Sequence, residues 1–230
     1  FLLAGGVIAA HWVAFFKAIE ISNVSTTLAT LSTGAFFASL LEPIFYGRKI
    51  IWYEVLFGLF VIFGLYLIYG VTGGLFLNGI LLTLLAAFLS ALFSIINAKF
   101  AQNYTPSLIS VYEIVGGVAI LSIYMFFTGE FNPSFYTLTT NDWIFLAILG
   151  VICTAYPFVG SIDIMKHISP YTVMLSINLE PIYGIILAVI LFPETEKMGT
   201  EFYIGGAIIL ITIFLNVIIK NYNSAKQISK

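Results

Sequence analysis

Charged residues and cysteine are scarce in this chain of 230 residues. Charged side chains make up only 9% of it and the formal net charge is -2, so it offers neither a basic nucleic-acid-binding surface nor an acidic tail. The one cysteine, Cys153, excludes an internal disulfide framework and a cysteine-based zinc site. So few polar residues cannot cover an ordinary soluble domain. The composition therefore excludes a soluble globular protein and a nucleic-acid partner.

Common catalytic and nucleotide-binding motifs are missing as well. No G-x-x-x-x-G-K-[ST] run occurs, so ATP does not drive this protein directly. The H-E-x-x-H and G-x-S-x-G motifs are also absent. We therefore predict no catalytic residues, no metal site and no cofactor.

Apolar residues, in contrast, make up 60% of the chain. A run of about 20 apolar residues spans the hydrocarbon core of a bilayer. Short linkers rich in glycine, proline, asparagine and serine separate such runs here. The pattern predicts an all-α polytopic membrane protein in contact with lipid, with eight helices near residues 1–22, 24–46, 50–70, 77–98, 107–127, 143–165, 171–192 and 202–219.

Basic residues indicate the orientation of these helices. Short cytoplasmic loops retain lysine and arginine. Seven of the nine basic residues fall in every second linker or in the C-terminal tail: Arg48, Lys49, Lys99, Lys166, Lys220, Lys226 and Lys230. This alternation predicts that both ends of the sequence are cytoplasmic, and it supports the count of eight helices.

The end of the sequence partly repeats its beginning. An offset of 147 residues aligns the first three predicted helices with the last three, and it pairs Ile21–Ser22 with Ile168–Ser169, Ser25 with Thr172, Leu28 with Leu175, Phe45 with Phe192, and Gly58 with Gly205. The second copy is displaced from the first by five helices, an odd number, so it is predicted to be inverted. Inverted repeats are the architecture of many secondary transporters.

Two repeats of five helices would divide the chain unequally. Residues 1–72 are predicted to hold three helices of the first repeat, residues 77–222 the complete second repeat, and residues 223–230 a cytoplasmic tail. The sequence opens inside an apolar run without an initiator methionine. We therefore expect two further helices upstream of residue 1.

The chain resembles the EamA-type branch of the drug/metabolite transporter superfamily. The resemblance rests on a serine- and threonine-rich second helix and on these motifs: His11-Trp12 with Phe15-Phe16 and Ala18-Ile19, Gly58 and Gly64, Asn178-Leu179-Glu180-Pro181 with Tyr183-Gly184, and Phe202 to Ala207. It implies a ten-helix carrier built from two inverted repeats. Such a carrier exports or exchanges small, amino-acid-like metabolites across the bacterial inner membrane. This chain departs from the pattern by having eight helices, and by having Thr33-Gly34 where the second repeat has Glu180-Pro181.

Glu180 is the first candidate for a functional side chain. It lies about nine residues into the predicted seventh helix, where a charged carboxylate costs about 2.5–3.5 kcal/mol. Pro181 removes a backbone hydrogen bond beside it. Spacings of four, four and three place Thr172, Ser176, Glu180 and Tyr183 on one helix face. We predict a cavity-lining stripe in which Glu180 meets a proton or the substrate; the alternative is a protonated Glu180 bonded to a neighbouring helix.

His11 and Glu113 are further ionisable residues within predicted spans. His11 could relay protons because its ordinary pKa is near neutral, or it could be a packed histidine bonded to a nearby serine or threonine. Glu113 follows Tyr112 in the fifth helix. This pair is predicted either to line a vestibule or, through Glu113, to form a hydrogen bond between helices.

The second helix carries an unusual number of hydroxyl groups: Ser25, Thr26, Thr27, Thr30, Ser32, Thr33 and Ser39. Such side chains permit close helix packing, and they also suit a cavity wall. We assign Thr30 and Thr33 to the predicted substrate and proton pathway.

Other charged residues are predicted to be structural. Glu42 lies one turn before Arg48 and Lys49, where it could pair locally or reach lipid headgroups. Two pairs at i,i+3 spacing are predicted to form ordinary ion pairs at helix ends: Lys17 with Glu20, and Asp163 with Lys166.

A secondary transporter of a small-molecule substrate, driven by a substrate or proton gradient, is the leading hypothesis. An intramembrane enzyme is an alternative, but His11 and His167 lie at different predicted depths and form no metal centre. A membrane scaffold that transports nothing is a third hypothesis. The sequence leaves the substrate, the direction of transport and the oligomeric state open, a monomer included.

Overall fold

A computed structural model of the protein describes residues 1–47, 52–72, 76–177, 179–196 and 198–228. Within these ranges it is all-helical and contains no β-strand. The helices are α1 Leu2–Ile21, α2 Val24–Leu31, α3 Gly34–Tyr46, α4 Trp52–Thr72, α5 Leu77–Ala101, α6 Pro106–Thr128, α7 Thr140–Ala147, α8 Tyr156–Ile164, α9 Pro170–Ile177, α10 Glu180–Leu191, α11 Pro193–Glu196 and α12 Thr200–Ile228. A 3₁₀ turn at Pro133–Tyr136 precedes α7, and a π-helical segment at Ile148–Ala155 joins α7 to α8. Arg48, Lys49, Asn178 and Lys230, which the predictions above include, lie outside the described ranges.

Five stretches of the described chain are long and apolar enough to cross a membrane: Leu2–Ile21, Val24–Tyr46, Leu77–Ala101, Pro106–Thr128 and Thr140–Ile164. They match five of the eight predicted spans, and they make this a multi-pass membrane protein. Shorter apolar helical stretches occupy the other three positions, at Leu56–Gly70, Glu180–Leu191 and Thr200–Asn216. The count of eight spans therefore stays a prediction.

Two helices that the sequence predicted as continuous are broken. Between α2 and α3, Thr33 donates its backbone N–H to the Thr30 carbonyl at 3.1 Å, a tight i,i+3 bond in place of the α-helical one. Between α9 and α10, Leu179 likewise bonds the Ser176 carbonyl at 3.2 Å, and Pro181 has no N–H to donate. A turn therefore interrupts each of the helices predicted over 24–46 and 171–192, although Val24–Tyr46 still forms one candidate membrane span.

Other helix boundaries also differ from the predicted ones. The sixth predicted helix begins earlier, because Thr139 and Asp142 form a capping box before α7. Its middle turns are π-helical, and the Thr154 hydroxyl donates to the Leu149 carbonyl at 2.7 Å. α12 continues to Ile228, so the tail predicted at 223–230 begins within a helix.

The chain forms two compact units. The first unit contains residues 1–9 and 96–169, and the second contains residues 10–95 and 170–230. α1 and α5 each contribute residues to both.

In the second unit, α4 and α12 pack closely through glycines. A Cβ on Gly64 would lie 2.8 Å from the Gly205 carbonyl oxygen, and a Cβ on Gly205 would lie 2.7 Å from the Gly64 carbonyl oxygen. Gly64 also faces Ile209 while Gly205 faces Ile68, so the two helices run antiparallel. Small residues allow this approach of backbones in membrane helices.

The two broken helices of the second unit also run antiparallel. α2 packs against α10, and α3 packs against α9. Gly184 faces Leu28, and Gly34 faces Met174. The first half of each broken helix therefore lies beside the second half of the other. The two breaks lie in the middle of this contact.

In the first unit, the start of α1 packs against α6. A Cβ on Gly5 would overlap the Glu113 carbonyl oxygen, and a Cβ on Gly117 would lie 3.0 Å from the Gly5 carbonyl oxygen. The Phe1 ring packs edge-on against Phe100, with 4.7 Å between ring centroids. Glycine thus brings the α1 and α6 backbones into direct contact beside Glu113.

Candidate functional site

The structure places Glu180 at the break between α9 and α10. It is the first residue of α10, and it is half-buried. The prediction that it lies nine residues into one helix was therefore wrong. A carboxylate at a helix N-terminus is stabilised by about 0.3–1 kcal/mol, because the unpaired N–H groups there carry partial positive charge. This position offsets part of the cost of holding a charge within an apolar segment.

The predicted stripe around Glu180 is divided by the same break. On α9 the Ser176 hydroxyl donates to the Thr172 carbonyl at 3.1 Å. Ser176 is exposed and Tyr183 on α10 is 57% exposed. The spacing argument assumed one continuous helix, whereas α9 and α10 are separate elements. What remains is a half-buried carboxylate between an exposed hydroxyl and an exposed phenol.

The hydroxyl groups of α2 form a second polar surface, which is buried. Thr26, Thr30 and Thr33 follow spacings of four and three, so they share one face. All three side chains are at most 1% exposed, and none of their hydroxyls has a hydrogen-bond partner in the described part of the chain. A threonine in a helix usually bonds the carbonyl one turn back, so a row of unpaired hydroxyls needs an explanation. Close packing and a cavity wall both remain consistent with this surface.

His11 is held by a backbone carbonyl. Its Nδ1 lies 2.8 Å from the Ala86 carbonyl oxygen, so Nδ1 is the nitrogen that donates. The imidazole stacks on the Phe15 ring at 6.1 Å between centroids. The histidine is packed, with a carbonyl as its partner in place of the predicted serine or threonine. Its Nε2 is left as the nitrogen that could exchange a proton.

Glu196, for which the sequence predicts no role, caps α2. Its two carboxylate oxygens accept the backbone N–H groups of Val24 at 2.9 Å and Ser25 at 2.8 Å. Asn23 reinforces this contact, because its amide accepts the Thr26 N–H at 2.8 Å and donates to the Thr195 carbonyl at 3.1 Å. Asparagine three residues before Thr26 is a recognisable N-cap signal, but nothing local identifies Glu196 as the partner.

Glu42 caps α9 in the same way at the other end of the broken pair. Its Oε1 accepts the Tyr171 backbone N–H at 2.7 Å, and its side chain is 5% exposed. We had predicted that Glu42 reaches a local base or a headgroup. Its carboxylate satisfies an N–H group at the start of a helix 129 residues away in sequence, while Arg48 and Lys49, the predicted local bases, lie outside the described residues. We call Glu42 and Glu196 the carboxylate caps.

Tyr112 and Glu113 lie in the first unit. Tyr112 is 48% exposed and its ring is 6.1 Å from the Phe1 ring, whereas Glu113 is fully buried. The hydrogen bond between helices that the sequence predicts for Glu113 stays a prediction: Asn97 on α5 interacts with the carboxyl group, although neither carboxyl oxygen has a partner of normal geometry in the described ranges. The other six predicted pathway residues belong to the second unit: His11, Thr30, Thr33, Ser176, Glu180 and Tyr183.

The remaining charge predictions concern surface pairs and metals. Both predicted ion pairs form, with 2.7 Å between Lys17 Nζ and Glu20 Oε1 and 2.8 Å between Lys166 Nζ and Asp163 Oδ1. Among the residues that the structure describes, no group of three or more histidine, cysteine, aspartate or glutamate side chains is arranged to hold a metal ion.

The helices define a multi-pass membrane protein, and comparison with known proteins identifies its family. Residues 77–218 match the EamA-like transporter family. This match covers more than half of the chain, so the protein belongs to that family, as its motifs predicted. The family is described as one of transporters.

Two individual proteins illustrate the relationship. An uncharacterized transporter of Clostridium kluyveri is 26% identical over 155 residues, which are 66% of this chain and 46% of that protein. The chain therefore spans about half the length of the curated relative that it matches. A protein of known crystal structure has the same fold, with a TM-score of 0.66 and 15% identity over 95% of this chain and 76% of that one.

Proposed function

We propose that this protein is a secondary transporter that exports or exchanges small, amino-acid-like metabolites across the bacterial inner membrane. A gradient of the substrate or of protons supplies the free energy. Family membership supports transport as the activity. The substrate, the driving force and the direction are what this proposal adds.

The observation that carries the proposal is the pairing of the two broken helices. The offset of 147 residues that aligns the two halves of the sequence also aligns their breaks. It brings the break after Leu31 to within about one residue of the break after Ile177. The paired helices run antiparallel, and so do α4 and α12. Both features support two inverted repeats, in which interrupted helices at matching positions indicate the binding site.

The proposed site lies at these breaks within the second unit. Glu180 supplies a carboxylate at the start of α10, with Ser176 and Tyr183 on either side. Thr30 lies near the end of α2, which packs against α10, and Thr33 lies in the turn between α2 and α3. A carboxylate binds an ammonium group, and hydroxyl groups bind either hydrogen-bond donors or acceptors. This combination favours a substrate with a charged amine and a polar end, while His11, Tyr112 and Glu113 serve access or proton movement.

The proposal includes an orientation. With both ends of this sequence cytoplasmic, Glu42 faces the cytoplasmic side and Glu196 the outer side. Each carboxylate cap then ties the two broken helices together at one face of the membrane. A carrier that alternates its access must loosen these two ends in turn.

The test is exchange of a metabolite panel by the protein reconstituted in vesicles. We expect at least one amino acid or related amine to exchange, and we expect Glu180→Gln to lower that flux about tenfold or more because a charge-assisted bond is lost. Glu194→Gln changes an exposed glutamate and serves as the matched control. Both variants should insert normally. Equal flux in the two variants would remove Glu180 from the site, and exchange confined to solutes without an amine would refute the substrate class.

A further inference from the structure

Glu113 is a carboxylic acid enclosed by helices of the first unit. It lies on α6 and is 0% exposed. Its backbone touches α1, because a Cβ on Gly5 would overlap the Glu113 carbonyl oxygen. The segment of α1 in this unit, Leu2 to Ala9, carries no titratable side chain. The acid therefore faces apolar residues and bare backbone on the α1 side.

Two neutral polar side chains share this enclosure. Asn97 on α5 interacts with the Glu113 carboxyl group, and Ser110 lies one turn earlier on α6. Asn97 is 0% exposed and Ser110 is 2% exposed. Five buried polar atoms here lack a hydrogen bond of normal geometry in the described part of the protein: both carboxyl oxygens of Glu113, both amide atoms of Asn97 and the Ser110 hydroxyl.

No charged side chain in the described part of the protein pairs with Glu113. The charged side chains on the elements packed near it are Lys99 on α5 and Asp163 on α8. Lys99 is exposed, and Asp163 is exposed and paired with Lys166. None of these groups forms an ion pair with Glu113. A buried carboxylate without a partner takes up a proton, because the neutral acid is far less costly to keep out of water.

We propose that Glu113 is a proton-binding site, at which the buried acid holds a proton and Asn97 and Ser110 are positioned to solvate the carboxylate when that proton leaves. The Asn97 amide suits both states, since its oxygen accepts from the acid and its NH₂ group donates to the carboxylate. The Ser110 hydroxyl can turn in the same way. Loss of the proton requires water to reach the enclosure. The site therefore binds a proton when α1, α5 and α6 are closed and releases it when they part.

This inference deepens the proposed function. It rests on that function only for the coupling of proton movement to transport. An acid that is enclosed in one conformation and hydrated in another carries a proton with each cycle of a carrier. The chemistry of the site does not depend on which metabolite is transported. Protonation and coupling can therefore be tested separately.

Infrared difference spectroscopy of the purified protein tests the protonation. At neutral pH we expect a carbonyl stretching band of a protonated carboxylic acid that is lost in Glu113→Gln and retained in Glu130→Gln, which changes an exposed loop carboxylate. The band should disappear as the pH is raised. In Asn97→Leu it should persist to higher pH, because the carboxylate loses a donor; a purely structural role for Asn97 would not move it. Identical spectra of the wild type and Glu113→Gln would overturn the proposal.

A pH-sensitive dye sealed in proteoliposomes tests the coupling, with the common amino acids as probes. We expect Glu113→Gln to abolish the proton movement that accompanies uptake while leaving exchange of labelled against unlabelled amino acid intact. Unchanged proton movement in this variant would overturn the coupling role. If no probe were transported by the wild type, the proposed substrate class would fail, and the infrared result would still decide the proton site.

Discussion

Removing the charge from Glu196 should destabilise the second unit. The Glu196 carboxylate accepts two backbone N–H groups, from Val24 and Ser25, and it is 3% exposed. In Glu196→Gln a single acceptor oxygen remains, so one N–H group loses its partner and faces the amide NH₂. The residual bond also loses its charge. Nothing else changes in size, because glutamine has the same shape as glutamate.

The expected loss follows from the hydrogen-bond energies. A bond to a charged acceptor contributes about 1.5–3 kcal/mol, against about 0.5–1.5 kcal/mol for a neutral one. Losing one charged bond and weakening the other gives a destabilisation of about 2–4 kcal/mol. A change of this size is a large part of the total stability of an ordinary domain.

Unfolding in mixed detergent micelles, followed by circular dichroism, measures this change as a difference in free energy of unfolding. Glu194→Gln is the matched control, since Glu194 lies two residues away in α11 and is exposed. We expect the control to differ from the wild type by less than about 0.5 kcal/mol. If the two variants were equally stable, Glu196 would not stabilise α2, and the functional importance of the carboxylate caps would have no energetic basis.

Three further changes test other parts of the structure. Gly64→Ala should destabilise the contact with Gly205 by about 1–3 kcal/mol, whereas Gly206→Ala meets no atom within 4 Å and should not lower the melting temperature. Glu42→Gln keeps one acceptor for α9 but loses its charge, so unfolding should show a loss of about 1 kcal/mol. Thr30→Val removes a buried hydroxyl without a described partner, so thermal unfolding should show equal or higher stability while vesicle assays show lower flux if this residue lines the site. A less stable Thr30→Val would indicate that the hydroxyl is bonded.

The break at Glu180 changes how its charge is understood. In a continuous helix, the residue would sit in the middle of a span with all nearby N–H groups already bonded. As the first residue of α10, it lies beside Pro181, which has no N–H, and the Ile182 N–H already bonds the Leu179 carbonyl at 3.1 Å. The helix N-terminus therefore offsets part of the cost of the charge only through its partial positive charge.

Local features of the sequence predicted local features of the structure. Apolar runs located the helices, because the length of a span depends only on composition and bilayer thickness. The pairs Lys17–Glu20 and Asp163–Lys166 followed from helical spacing, since residues three apart always face each other. Family motifs also lie within short stretches, and they indicated the EamA-like family correctly.

What the sequence by itself determined is thus an all-helical membrane protein of a recognisable transporter family. Tertiary structure decided the rest: that Glu196 caps a helix 172 residues away, that Glu42 caps another 129 residues away, and that Glu113 is fully buried. The physical reason is the distance along the chain over which each kind of interaction acts. Hydropathy and helical periodicity act over one or a few turns, whereas the partner of a carboxylate depends on which helices pack together, and glycines and helix breaks far apart in the chain control that packing.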